Sequence, residues 1–215
     1  MKRLILFVTI ALGLFKQAYA QQDKYVKAME SAIAKVNFMA SKDDLLQSAS
    51  QFERIGGAEA NEWLPNYWSA YTYSIMAYKE QDAAKKDAFL DKADAFFEKA
   101  LKQQPDNDEL MVLQAQLAGA RLAVDPQNRW QKYGDIYQTA LDKATAKNAE
   151  NPRIYYLQGQ SLLYKPEQYG GGKKVACPLL QKAAEKFATF KATTRIHPNW
   201  GAEETKYAMK QCAGQ

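Results

Sequence analysis

The chain holds a single histidine and only two cysteines, and outside residues 4–15 it has no long apolar run. Strand-like alternation of apolar and polar residues is almost missing as well. Each scarcity excludes something. Acid–base catalysis or a metal site needs convergent partners, and His197 stands alone in a loop before Pro198. No catalytic set and no metal or cofactor site is therefore expected. A bilayer span needs about 18 consecutive apolar residues, so no transmembrane segment is expected once the first residues are removed. The lack of period-two patterning points to an all-α fold.

What is present begins with a leader. Lys2 and Arg3 precede the apolar run from Leu4 to Phe15, and Ala18-Tyr19-Ala20 supplies a small-x-small cleavage site. Residues 1–20 are read as a signal peptide and residues 21–215 as one helical repeat domain. The expected compartment is the periplasm, with secretion the less favoured alternative. Gln21 at the new terminus, in place of Cys, gives no support for lipid attachment. Loss of Lys2, Arg3 and Lys16 lowers the formal net charge from +5 to +2. The remaining charges are interspersed in sign, which argues against a nucleic-acid partner, since that needs a clustered basic stripe.

Tyr25, Trp68, Met111, Tyr155 and Trp200 follow one another at 43, 43, 44 and 45 residues, each opening a segment of helical periodicity. A fixed period of this size arises when one helix pair cannot bury its own apolar face and stacks on copies of itself. Caps, prolines and periodicity predict helices over about 23–40, 43–55, from 65, 84–103, from 106 or 108 to 124, 130–147, 152–164, 174–191 and 198–212. That is nine helices, as four antiparallel pairs and a closing helix. The second is expected to stop at Gly56-Gly57.

The first helices of the pairs carry Trp68, Tyr71, Thr72 and Ile75, then Met111, Gln114, Ala115 and Ala118, then Tyr155, Gln158, Gly159 and Leu162. This pattern resembles the tetratricopeptide signature, with its small residue where two helices approach closely. Ala93, Phe97 and Ala100 before Pro105 keep the spacing of the second helix. Asp125-Pro126 with Arg129, Tyr133 and Gly134, Asn151-Pro152-Arg153, and Pro166 with Gly170–Gly172 are similar to landmarks of exported tetratricopeptide-like proteins of Gram-negative bacteria. The resemblance implies a right-handed α–α superhelix and an envelope location, with the residues beyond the usual period taken up in longer connections near 81–87 and 125–130. A period in the forties also fits armadillo or HEAT arrays.

Mapping the signature places Asn66, Ser69, Tyr73, Met76, Glu109, Val112, Gln116, Arg153, Tyr156, Gln160 and Tyr164 on the concave groove of such an array. The mixture of polar and aromatic groups suits peptide or protein contact. The leading functional expectation is a non-enzymatic adaptor of the bacterial envelope that holds a segment of another exported or outer-membrane protein. The alternative is a small-ligand or glycan receptor with a closed pocket. Gly170, Gly171, Gly172 and Lys173 form a candidate anion loop, because consecutive glycine amides at a helix start can cradle a negative group. Asp106–Glu109 is read as helix-capping acids in place of a calcium loop. Cys177 and Cys212 lie 18 and 17 residues from a turn near Arg195, level with each other in an antiparallel hairpin, and are expected to form a disulfide in an oxidising compartment.

Overall fold

The computed structural model of the protein describes residues 21–213, and the predicted leader lies outside them. Within that span there are nine α-helices and no strand. They are α1 (21–33), α2 (Lys42–Ala58), α3 (Leu64–Lys79), α4 (Ala83–Gln103), α5 (Asp108–Val124), α6 (Pro126–Lys147), α7 (Pro152–Tyr164), α8 (Lys173–Thr189) and α9 (Ala202–Cys212), with a single 3-10 turn at Glu167–Tyr169 between α7 and α8. Neighbours in sequence pack as neighbours in space, and α3, α5 and α7 also touch one another in succession.

The helices form two layers that the sequence separates by composition. α3 is buried at every position from Leu64 to Ala77, and α5 and α7 are buried over most of their length. These inner helices are apolar or aromatic nearly all round, as a helix enclosed by others must be. The outer helices bury one stripe each: Leu90, Ala93, Phe97 and Ala100 on α4, Ala140, Leu141 and Ala144 on α6, and Ala176, Leu180 and Ala183 on α8. Alanine in those stripes lets the layers approach closely. Gly159 takes the same logic furthest, since a Cβ there would lie 2.7 Å from the Leu180 side chain.

Polar caps set the boundaries. Ser41, Asp82, Asn107, Asp125 and Asn151 each accept from a backbone amide of the following first turn. Several expectations change here. α1 stops at residue 33 and not near 40, and α9 begins at Ala202 and not at 198. Two further differences have a clear cause. The extra residues of the long period do not lengthen the connections. Asp82 and Asp125 start α4 and α6 early, and Pro126 fits the first turn of α6, so the surplus lies in outer helices of 21 and 22 residues. Nor does Gly56-Gly57 end α2, which runs to Ala58. A Cβ on Gly56 would meet Pro65 at 3.3 Å, so this glycine serves the close crossing of α2 over the start of α3. Cys177 and Cys212 are bonded, with their Cα atoms 5.9 Å apart, and the bridge ties α9 to α8.

Candidate functional site

The concave side of the inner layer is already occupied by the chain itself. Residues 190–201, between α8 and α9, run across it without helical structure. The Trp200 ring stacks on Tyr71 at 4.5 Å and meets Tyr156 edge-on, while its Nε1 donates to the Tyr67 hydroxyl at 2.8 Å. Trp68 Nε1 donates to the Ile196 carbonyl at 2.8 Å. Ile196 and Trp200 are buried, 4% and 6% exposed.

Arg153 fixes this segment from below. Its guanidinium is fully buried, donates to Glu109 at 2.9 Å and to the Pro198 carbonyl, and lies under the rings of Phe190 and Trp200. Glu109 also accepts from Asn151, and burial pushes its carboxyl up to about 7 against the pull of Arg153. His197 belongs to the same plug. It is half-buried, shares a hydrogen bond with Thr194 and meets Trp63 edge-on, and burial lowers its pKa.

The predicted groove residues therefore divide. Glu109, Val112, Arg153 and Tyr156 are covered, with Arg153 and Tyr156 directly beneath the plug, and Gln116 is buried too. Gln160 is partly open and Tyr164 is 66% exposed, its hydroxyl accepting from Gln211 of α9. The α3 members face another way. Tyr73 donates to Glu53 of α2 at 2.6 Å and its ring stacks on Phe89 and Phe96 of α4, while Asn66 donates to Gln103. Ser69 is buried, and Met76 is buried above the start of α2 beside Leu45. A continuous concave stripe through all eleven is thus not present, because α3 turns its Tyr73 edge to α2 and α4 and its Tyr67–Tyr71 edge to the plug.

The anion loop also changes its meaning. Gly170, Gly171 and Gly172 spend their amides on the carbonyls of Glu167, Pro166 and Leu162. A Cβ on Gly171 would fall 2.0 Å from the Lys165 carbonyl oxygen, and Gly170 and Gly172 have φ of 83° and 96°. The three glycines close a tight turn, and none of their own amides is left to cradle an anion. Lys173 simply begins α8. The cap of α5 is Asn107 and not an acid, while Asp108 and Glu109 stand in the first turn of the helix and accept from the side chains of Asn148, Asn151 and Arg153.

An open recess lies where α2, the start of α3 and α4 meet. Its volume is about 360 Å³, and Glu53, Gly56, Asn66, Phe96, Lys99 and Gln103 are among its lining residues. Phe96 is stacked on Tyr73 at 6.1 Å with the rings 9° from parallel, and the Lys99 ammonium sits 4.7 Å from the centre of the Phe96 ring. The Tyr73 hydroxyl is held by burial and by Glu53 well above the usual phenol range, so it is a neutral donor. Sequence reading found Asn66 and Tyr73 but missed Phe96, Lys99 and Gln103. Their signal was the helical stripe of 89, 92, 96, 99 and 103 on α4, which reads as packing until α2 is known to stop short of covering it. The plug was missed because Trp200 keeps the long period and falls inside the helix expected over 198–212, whereas α9 begins only at Ala202.

Together the paired helices and the bridge define an all-helical protein closed by one disulfide among the described residues. No protein-family model matches the chain, and no curated protein does. Among solved structures it is similar to the HusA haemophore from Porphyromonas gingivalis, with 31% identity and a TM-score of 0.75 over 90% of this chain and 94% of that one. At that identity over nearly the whole of both chains, the protein belongs to the same family as HusA.

Proposed function

We propose that the protein is an exported, non-enzymatic binding protein for a flat tetrapyrrole of the haem type, which rests on the ring of Phe96 in the recess between α2, α3 and α4. The observation that carries this reading is that open recess floored by Phe96 stacked on Tyr73, in a chain whose relative is a haemophore. An aromatic floor with a few polar groups around it suits a planar ligand, and the volume falls in the range of about 300–1,000 Å³ common for ligand sites. The recess is open on one side, in contrast to the closed pocket of the receptor expected as an alternative. The periplasm is the compartment proposed, and the repeat is assigned to the tetratricopeptide kind with lengthened second helices.

Absorbance titration of residues 21–215 with haem and with metal-free protoporphyrin tests it. A saturable shift of the porphyrin band at one ligand per chain is expected. A linear, unsaturable response would reject the reading.

A peptide-binding role is the second reading. It is favoured by Tyr164, Tyr169 and Tyr207, all about two-thirds exposed near the α7–α9 end of the molecule. Their replacement by Ala should weaken capture of an exported partner without altering the porphyrin titration.

A further inference from the structure

α4 sorts its charges by face. Asp87, Asp91 and Asp94 recur at intervals of four and three and converge on one guanidinium, that of Arg121 on α5, at 3.0, 2.6 and 2.6 Å. Asp87 also takes Arg129 at 2.7 Å, and the Arg129 guanidinium beside it holds the carboxyl below the usual carboxylate range. The other face repeats Phe89, Lys92, Phe96, Lys99 and Lys102, turned to α2 and α3. Lys92 lies 5.2 Å over the Tyr73 ring, Lys99 4.7 Å over Phe96, and Lys99 and Lys102 line the recess.

The aspartates of α4 are spent on Arg121 and Arg129, and Glu98, one residue before Lys99 and four before Lys102, pairs with neither lysine and does not line the recess. Among the described residues, none of the three lysines makes an ion pair. One carboxylate lines the recess, Glu53, and it is engaged by the Tyr73 hydroxyl at 2.6 Å. Lys99 lies over the Phe96 ring, whose other side is stacked on Tyr73. A planar molecule can therefore lie on Phe96 only when this lysine swings to the rim, where it and Lys102 meet carboxylates on the edge of the ligand. Ammonium–carboxylate contacts are charge-assisted and stronger than neutral hydrogen bonds.

We infer that the recess selects its ligand by free carboxylates, with Lys99 and Lys102 as the residues that read them while the ring lies on Phe96. The inference rests on the tetrapyrrole reading above and goes further by naming the group that is recognised. Glu53 sets the limit on the other side, because a ligand with acids around its whole rim would bring one against it. A ligand with its acids on one edge can keep them at the lysines and away from Glu53.

The test compares metal-free protoporphyrin with its dimethyl ester, which keeps the ring and removes both charges, in detergent-matched fluorescence titrations of residues 21–215. The free acid is expected to bind at least about tenfold more tightly than the ester, and Lys99→Gln with Lys102→Gln is expected to erase that difference. Both lysines are at the surface, so the double variant should keep its fold, and its unfolding midpoint is checked beside the titration. Equal affinity for acid and ester in the wild type overturns carboxylate reading while leaving the tetrapyrrole function standing. Preference for the acid that survives in the double variant overturns the assignment to these lysines. Failure of both ligands to bind overturns the tetrapyrrole reading and this inference with it.

Discussion

Two regions of the inner layer began with the same kind of surface and met different fates. On the concave side, Tyr67, Tyr71, Arg153 and Tyr156 are sealed by residues 190–201. On the opposite edge of α3, Asn66 lines a recess that α2 and α4 leave open, and Tyr73 is buried behind the Phe96 and Glu53 side chains that line it. The difference teaches that aromatic density alone does not mark a site in a helical array. What marks it is whether the chain has already supplied a partner. In the concave groove the Trp68 and Trp200 indoles and both terminal nitrogens of Arg153 find internal acceptors, while the Tyr71 hydroxyl and Arg153 Nε are buried without one. In the recess the lysines find none.

The plug should therefore be structural, and the largest effects are expected there. Arg153→Met strips Glu109 of its counter-charge in the interior and releases the Pro198 carbonyl. Breaking a buried pair in this way costs about 3–5 kcal/mol. Urea unfolding should show that loss, and a change below about 1 kcal/mol would mean that the plug is loosely held and the groove is open in solution.

Removing the bridge comes next. Cys177→Ser with Cys212→Ser frees the end of α9, and a crosslink closing 35 residues contributes about 3–4 kcal/mol through the unfolded chain. The melting point should fall while porphyrin affinity stays the same, because the bridge lies at the α8–α9 end and not at the recess. A parallel loss of affinity in folded protein would link the two regions.

A smaller effect is expected from pH. Burial raises the Glu109 carboxyl to about 7, from an ordinary value of 4.5 in the unfolded chain. The folded state then holds the proton more tightly, so the contribution of this group to stability is full below about pH 4.5 and declines as the pH rises to about 7. Between pH 5 and 8 the loss should be on the order of 1–3 kcal/mol. Unfolding midpoints of Glu109→Gln against wild type across that range isolate it. A variant whose midpoint follows the wild type at every pH would show that Glu109 is ionised throughout.

Much of the fold was legible because helix starts and buried stripes are local. Asp43, Pro65 and Pro152 marked helix starts to within a residue, and Ala93, Phe97 and Ala100 announced a packed face. The bridge was legible because helical rise and a turn fix which residues come level. The site was less so. The concave stripe was derived on the premise that the groove of a repeat array is empty, and nothing local in 190–201 says that a loop will return over 128 residues of sequence to meet Trp68. The rotation of α3 was equally hidden, since Tyr73 satisfies a groove pattern and a packing pattern alike. The glycine turn shows the same limit. Its amides looked free until Leu162 and Pro166 were seen to accept from them.

The central claim is that the open recess binds and the concave side does not. It is tested most directly by titrating metal-free protoporphyrin into Phe96→Ala and Tyr164→Ala side by side, with the unfolding midpoint of each as a control for folding. Both side chains are partly or largely exposed, so neither variant should lose its fold. The account predicts that Phe96→Ala weakens binding by at least about tenfold, ~1.4 kcal/mol, while Tyr164→Ala binds as the wild type does. Undiminished binding by Phe96→Ala together with loss in Tyr164→Ala would contradict it and move the site to the uncovered end of the concave face.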